Sequence, residues 1–197
     1  MKFRIVSITL ASLAMLGACG GSSNSGPGTG TLSLELTDSP VDRADEVVVV
    51  FTGVEVKPVD GDVLTFDYCD PGADPSMCKS IDLLTLQDGA TTDLLENEEL
   101  PAGKYAWVRL KVYTDPVAMD ASYVEMPSDS EYPGTHNLII PSGAQTGLKL
   151  VSGFTVAQGG VTRLVIDFVV RKSVLAPRGL LDNFLLKPTL LMLSLIH

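Results

Sequence analysis

Apolar and polar residues alternate along much of the chain. Residues 31–36, TLSLEL, place leucine at every second position, and residues 104–113, KYAWVRLKVY, and 161–170, VTRLVIDFVV, show the same period. Because successive side chains of a β-strand point to opposite faces, this period predicts half-buried strands. Residues 46–56, EVVVVFTGVEV, are almost continuously apolar. They predict either a strand covered on both faces or one that changes faces at Gly53.

Turn-forming residues separate these strands, among them Asp-Gly at 60–61, Pro-Ala-Gly at 101–103 and Gly-Gly at 159–160. Only 82–99, around TTDLLENEEL, has helical character, and we expect one or two short helical turns there at most. Many strands separated by such turns predict an all-β fold, an antiparallel β-sandwich or barrel. Shorter strands are predicted at Val63–Phe66, Tyr123–Met126, Leu138–Ile140, Leu148–Val151, Phe154–Val156 and Leu185–Leu193.

The first 18 residues have the order of a secretory signal peptide. Lys2 and Arg4 give a positive start, residues 5–16 are mostly apolar, and two small residues follow. Leu-Gly-Ala-Cys at 16–19 resembles the bacterial lipobox, a motif in which the cysteine thiol is lipidated and becomes the mature N-terminus. The resemblance implies lipidation of Cys19. The alternative is an ordinary cleavage site with a chance cysteine.

Residues 19–30 form a tether rich in glycine and serine, GGSSNSGPGTG after the cysteine, which cannot bury apolar surface. The residue after the cysteine is Gly20 rather than aspartate, and in this the sequence resembles lipoproteins that are sent to the outer membrane. Residues 31–197 then suit one domain. Loss of the two basic residues of the signal would take the formal net charge from −10 to −12. Such an acidic chain would repel phosphate backbones, so we do not expect nucleic acid as a partner.

Two cysteines remain after Cys19. Cys69 and Cys78 flank DPGADPSM, and an even pair in an exported chain predicts a disulfide. The closed loop is short, so its stabilisation would be about 3 kcal/mol at most.

Four blocks carry a wider resemblance: GTLSLELTDSPVDRADEVVVVFTGVEV, IDLLTLQDGATTDLLENEELPAGKYAWVRLKV, PSGAQTGLKLVSGFTVAQGG and LLKPTL. In this order they resemble the domain-of-unknown-function 4382 family of bacterial cell-envelope lipoproteins, over roughly 30–191. The resemblance implies a β-sandwich, with a transthyretin-like or immunoglobulin-like Greek key, and it supplies no site residues. The apolar end, LMLSLIH, departs from the family. It is either a last core strand or a truncated or frame-shifted terminus.

Catalytic constellations are not evident in the sequence. The two histidines are His136, in YPGTHNL before a predicted strand, and His197 at the end. The chain has no Gly-x-Ser-x-Gly elbow and no His-Glu-x-x-His motif. We therefore expect no enzyme and no zinc site.

Calcium is the more specific ligand hypothesis. DGDVLTFDYCDPGAD, residues 60–74, concentrates aspartates around turns, and hard carboxylate oxygens on loops suit Ca²⁺. The spacing is not that of an EF-hand, and a solvated acidic loop is the alternative. The candidate ligands are Asp60, Asp62, Asp67, Asp70 and Asp74.

Aromatic residues supply a second hypothesis. Tyr105, Trp107 and Tyr113 share the parity of Arg109 and Lys111 in their strand. If that face is exposed, it could stack on sugar rings or anchor a partner. Alternatively, the aromatics fill the rim of the sandwich and the lysine and arginine stems cover them.

The sequence thus indicates a lipid-anchored protein of the cell envelope, at the outer membrane, whose β-sandwich serves interaction or structure rather than catalysis. A carbohydrate- or calcium-binding surface module is the alternative. The expected partners are the membrane, through the N-terminal lipid, and an unidentified protein or glycan. No cofactor is expected apart from the calcium ion of that alternative.

Overall fold

The computed structural model describes residues 28–38, 44–114, 121–140, 147–176, 183–187 and 189–195. The predicted signal peptide, Cys19 and nearly all of the tether lie outside the described residues. The strands are β1 (Thr29–Asp38), β2 (Glu46–Pro58), β3 (Leu64–Asp67), β4 (Lys79–Asp82), β5 (Thr92–Pro101), β6 (Gly103–Val112), β7 (Tyr123–Met126), β8 (Gly134–Ile139), β9 (Leu148–Leu150), β10 (Phe154–Val156), β11 (Val161–Phe168), β12 (Val174–Leu175), β13 (Phe184–Leu186) and β14 (Leu190–Leu195). Within these described residues, the helical segments are two 3₁₀ turns, Pro75–Met77 and Leu83–Leu86, and one short α-helix, α1 (Val170–Ser173).

Two sheets pack around one apolar core, which confirms the all-β sandwich. The smaller sheet has the order β14-β11-β1-β5, and the larger has the order β10-β6-β2-β7-β8-β13-β12. In the larger sheet β3 and β4 also pair with β2, and β9 pairs with β6. Among the described strands, two pairings are parallel, β1 with β11 and β13 with β8. The predicted antiparallel pairing is therefore corrected to a mixed one, because these strands are joined through other elements rather than by hairpins.

The alternation read from the sequence describes the core correctly. Leu32, Leu34 and Leu36 of β1 are fully buried, and the polar residues between them are more exposed on the other face. β6 and β11 follow the same rule, with inward side chains at Val108, Leu110, Val112, Leu164, Ile166 and Phe168.

β2 changes faces near Gly53, as one of the two predicted alternatives required. Phe51 pairs with Val112 and Gly53 pairs with Lys111, so Thr52 is the extra residue of a β-bulge. The core positions are odd-numbered before the bulge and even-numbered after it. The inward residues, all fully buried, are Val47, Val49 and Phe51, then Val54 and Val56.

The prediction of helical character in 82–99 is correct only at its start. Leu83–Leu86 forms a 3₁₀ turn, but Thr92–Pro101 is strand β5. β5 carries bulges, and Asn97 has a φ of 50°. The bulges interrupt the alternation and bury the adjacent residues Leu94 and Leu95 together, a spacing that resembles a helical face.

The apolar end of the chain forms a strand over its described part. β14 pairs with β11 in unbroken register from Phe168 opposite Leu190 to Arg163 opposite Leu195. The alternative of a last strand is thus confirmed for Leu190–Leu195. In the described parts of the chain, no helix is long and apolar enough to cross a membrane.

Candidate functional site

The outer face of the larger sheet brings most of the candidate residues together. β2 is its central strand, with β7 and β6 along one edge and β4 and β3 along the other. Two regions of this face differ in chemistry. We call the concave region around the first half of β2, lined by residues such as Glu46, Val48 and Tyr123, the Tyr123 cleft. We call the outer surface of the second half of β2 and of the neighbouring β6 and β9, which carries Trp107, Arg109 and Lys149, the Trp107 face.

The connection from β3 to β4 is closed by a disulfide. Cys69 and Cys78 lie at bonding distance, with their Cα atoms 5.0 Å apart, which confirms the predicted pair. The closed loop lets two short strands pair in succession with the same edge of β2. It also places the 3₁₀ turn Pro75–Met77 beside the Tyr123 cleft.

The Tyr123 cleft is an open concavity of about 410 Å³. Val48 and Val50 on its floor are only 7% and 4% exposed, although they point away from the core. Its walls come from β2, β4, the disulfide loop and the start of β7. The lining residues are Glu46, Val48, Val50, Asp74, Pro75, Ser76, Ser80, Asp82, Ala121 and Tyr123.

Hydrogen bonds hold the polar walls of the cleft. The Tyr123 hydroxyl donates to Glu46 Oε2 at 2.8 Å. This bond, followed by burial, raises the pKa of Tyr123 because ionisation would place two negative charges together. Asp82 Oδ1 accepts from the backbone N–H groups of Val47 and Leu84, each at 3.1 Å. Asp82 thereby caps the following 3₁₀ turn and fixes the end of β4 against β2.

Asp74 is fixed in the same way at the rim. Its Oδ1 accepts from the Ser76 hydroxyl at 2.6 Å and from the Ser76 backbone N–H at 2.9 Å. Both bonds favour the ionised carboxylate and lower the pKa of Asp74. The Asp74 carboxylate therefore belongs to the architecture of the loop.

The cleft combines three carboxylates with an apolar floor. The described residues that line it include Glu46, Asp74 and Asp82 and no lysine or arginine. This combination suits a cationic group on an apolar stem, such as a lysine or arginine side chain. The cleft has no local signature in the sequence, because Glu46 and Tyr123 lie 77 positions apart and meet only through strand pairing.

The five aspartates of the calcium hypothesis are not brought into one site. Among the described residues, no three histidine, cysteine, aspartate or glutamate side chains could hold one ion. Asp67 accepts from Lys111 Nζ at 2.5 Å, and Asp74 binds Ser76. Asp60, Asp62 and Asp70 are exposed in turns.

The Trp107 face places charged and aromatic side chains on adjacent strands. Arg109 pairs across the sheet with Glu55 on one side and with Lys149 on the other. Arg109 Nη1 donates to Glu55 Oε2 at 2.9 Å. Arg109 Cζ and Lys149 Nζ lie 4.8 and 4.3 Å from the centroid of the Trp107 ring. The cations of the protein itself therefore contact Trp107, as the alternative to the stacking hypothesis expected.

Tyr105 does not lie on this face, which corrects the predicted aromatic group. A bulge sets Pro58 opposite Tyr105 and Lys57 opposite Trp107, so Ala106 is the extra residue. The parity reverses there, and Tyr105 is only 2% exposed. Its ring stacks on Phe154 at 4.9 Å, its hydroxyl donates to the Pro101 carbonyl, and burial raises its pKa.

Tyr113 remains half-buried beyond the end of β6, and its N–H donates to the Val50 carbonyl at 2.8 Å. Tyr113 therefore lies six positions from Trp107, one residue past the end of β6, and Tyr105 points into the core. The three aromatics thus do not share one exposed face, as the stacking hypothesis required.

His136 lies within β8 rather than before it, because β8 begins at Gly134, four residues ahead of the predicted strand Leu138–Ile140. Its Nε2 is 3.1 Å from the Tyr132 carbonyl, and its ring lies 5.4 Å from that of Phe184. The second histidine, His197, lies outside the described residues.

A comparison with known protein families covers most of the sandwich. Residues 29–188 match the family described as "Domain of unknown function (DUF4382)". The chain belongs to the DUF4382 family. No curated protein and no solved structure matches it.

The DUF4382 match begins with the first residue of β1 and extends past β13, so the sandwich and the family domain nearly coincide. β14 follows the matched region and completes the edge of the smaller sheet. The family description assigns no site, so the Tyr123 cleft and the Trp107 face rest on the geometry of this chain.

Proposed function

We propose that this DUF4382 protein is exported and lipid-anchored at the bacterial cell envelope, where its β-sandwich acts as a binding module. The disulfide between Cys69 and Cys78 is the observation that carries the proposal. Disulfides persist outside the reducing cytosol, so the pair supports export.

The sequence before the sandwich supports the anchor. A positive start, a short apolar run and Leu-Gly-Ala-Cys at 16–19 precede the glycine- and serine-rich tether. β1 begins at Thr29, so the last two residues of the predicted tether, Thr29 and Gly30, belong to the sandwich. A lipid on Cys19 would therefore hold a folded domain close to the membrane. Several acyl chains on one cysteine would make that attachment stable.

The Tyr123 cleft supports the binding role. Its carboxylates Glu46, Asp74 and Asp82 stand around the buried floor of Val48 and Val50. We assign partner recognition to this cleft and basic side chains to the partner, because opposite charge is complementary to the cleft walls.

The anchor is tested by the intact mass and the membrane partition of the full chain. We expect the wild type to carry acyl mass on Cys19 and to fractionate with membranes, and Cys19→Ala to lose both. A wild-type chain of unmodified mass, or a Cys19→Ala chain with unchanged mass and partition, would overturn the proposal.

The cleft is tested by titrating the full chain with an oligolysine peptide and, separately, with an oligoglutamate peptide. We expect binding of the basic peptide only, weakened about two- to fivefold by Glu46→Gln, because one surface ion pair contributes about 0.5–1 kcal/mol. The matched control is Glu131→Gln, an exposed residue outside the cleft. Equal weakening by both variants would contradict recognition at the cleft.

A further inference from the structure

We propose that the Trp107 face docks the anchored domain onto an anionic lipid surface and so fixes its orientation at the membrane. This inference rests on the proposed lipid anchor. The proposed docking surface consists of two neighbouring rows of side chains that run across the strands of the larger sheet. The residues concerned are Lys57, Val63, Trp107, Arg109, Lys149 and Val151.

The first row is apolar at both ends and aromatic near its centre. Lys57 is paired with Trp107. Val63 directly precedes β3 and Val151 directly follows β9, so each continues the row by one position. Val63 is 39% exposed and Val151 is 79% exposed. Tryptophan flanked by exposed aliphatic side chains is typical of residues at the membrane–water interface.

Described cations outnumber described carboxylates by one on this face, although the chain as a whole is acidic, with a formal net charge of −10. Two of the cations are already matched, Arg109 by Glu55 and Lys111 by Asp67. Among the described residues, the cations on the strands of this face are Lys57, Lys104, Arg109, Lys111 and Lys149. The described carboxylates on those strands and in the β2–β3 turn are Glu55, Asp60, Asp62 and Asp67. Cations thus exceed carboxylates here, and lysine and arginine near an anionic leaflet are each attracted by about 1 kcal/mol.

The tether enters the sandwich at the same end. Gly28, the first described residue, accepts a hydrogen bond from the Ala102 N–H just before β6. The Lys104 carbonyl accepts from the Val59 N–H, which places the β2–β3 turn beside it. Val59 and Val161 add further exposed apolar surface at this end, at 55% and 52%.

The covalent distance to the anchor is short. The chain from Cys19 to Gly28 can reach about 30 Å when fully extended. A lipid on Cys19 therefore holds this end of the sandwich near the headgroups. The opposite end, where α1 lies, is separated from it by the whole length of β11.

Trp107 is the single tryptophan of the chain, so its fluorescence reports on this face alone. The full lipidated chain is reconstituted into vesicles that contain brominated lipid, with either phosphatidylglycerol or phosphatidylcholine as the remaining lipid. We expect bromine to quench Trp107 in the phosphatidylglycerol vesicles, with the quenching at least halved in the phosphatidylcholine vesicles. High salt should reduce the difference between the two.

Two variants keep the test independent of folding. Lys57→Glu with Lys149→Glu should lower the quenching to the phosphatidylcholine level while flotation still recovers the chain with the vesicles. Val151→Asp, at a side chain that is 79% exposed, should also lower the quenching to the phosphatidylcholine level, although it replaces no lysine or arginine. The matched control is Lys172→Glu, an exposed residue on α1 at the far end, which should leave the quenching unchanged.

Each outcome is decisive. If the quenching of Trp107 changed neither with lipid charge nor in the Lys57→Glu, Lys149→Glu variant, the docking proposal would be overturned and the anchor would stand. Failure of the wild-type chain to float with the vesicles would overturn the anchor and, with it, this orientation. Shielding of Trp107 only when envelope proteins are added would assign the face to a protein partner and would also overturn the proposal.

Discussion

The two halves of β2 present different outer faces, although both bury their inner side chains completely. In the first half, Val48 and Val50 point outward and are still buried beneath the walls of the Tyr123 cleft. In the second half, Glu55 and Lys57 point outward and are only partly buried. An apolar outer residue therefore marks a strand that another part of the chain covers, and a charged one marks a strand that faces solvent.

The cover of the first half comes from segments that are distant in sequence. The disulfide loop contributes Asp74, Pro75 and Ser76, and the start of β7 contributes Tyr123. The second half has no comparable cover among the described residues that pair with it, since these belong to β3 and β6, which lie beside it in the same sheet. The difference between the halves thus depends on the disulfide and on the bulge at Thr52.

Loss of the disulfide should have the largest effect. We expect Cys69→Ser with Cys78→Ser to lower the free energy of unfolding by about 3 kcal/mol, because the unfolded chain regains the entropy of a short closed loop. The loss should be measured by urea unfolding of the oxidised wild type and the variant. Reduced wild-type protein is the control and should match the variant. Equal stability of all three would show that the loop needs no covalent closure to cover Val48 and Val50.

Gly53→Ala should destabilise the junction of the halves by about 2 kcal/mol. A Cβ atom there would lie 2.4 Å from the Phe66 carbonyl oxygen, a backbone atom that can move only if β3 separates from β2. Such overpacking costs about 1–3 kcal/mol. Gly153→Ala is the control, since its Cβ would approach the Tyr105 carbonyl oxygen only to 3.2 Å. Unfolding midpoints that fall equally for both would argue against a special need for glycine at the bulge.

A matched pair of valines compares the two outer faces directly. Val50 is 4% exposed in the cleft floor and Val63 is 39% exposed on the Trp107 face. We expect Val50→Ala to cost about 1.5 kcal/mol, at about 0.8 kcal/mol for each buried carbon lost, and Val63→Ala to cost under about 0.5 kcal/mol. The measurement is denaturant unfolding of the two variants. Equal decreases in the free energy of unfolding would contradict the proposed difference between the two outer faces.

The sequence was sufficient wherever one face of a strand is buried and its register is regular. The leucines of β1 and the alternating residues of β11 illustrate this, since period two has a single physical explanation there. Gly53 was also informative, because a glycine inside an apolar run indicates a bulge or a close backbone approach.

The sequence was insufficient wherever a bulge or a distant segment decides the outcome. Tyr105 turns inward because Ala106 is an extra residue opposite Pro58 and Lys57, which strand parity cannot reveal. The sequence of β5 lacks strand alternation because its bulges bury Leu94 and Leu95 side by side, which gives it a helix-like spacing. The cleft depends on pairings between strands far apart in the chain, and no local pattern encodes them.

The smallest predicted effect concerns acid and the rim of the cleft. The pKa of Asp74 is lowered by its bonds to Ser76, so its contribution to stability is fully present above the ordinary pKa of aspartate. That contribution is lost as the pH falls through the lowered value. Asp74→Asn keeps an acceptor oxygen for Ser76 and removes the titration.

We therefore expect Asp74→Asn and the wild type to have similar melting temperatures at neutral pH. On acidification below about pH 4, the wild type should lose slightly more stability than the variant, because only the wild type must protonate a bonded carboxylate. Asp60→Asn, in an exposed turn outside the cleft, is the matched control and should leave the acid dependence of the wild type unchanged. If the wild type and Asp74→Asn lost stability equally on acidification, the ionised Asp74 carboxylate would contribute nothing to the stability of the loop. The burial of Val48 and Val50 would then depend on the disulfide and on packing alone.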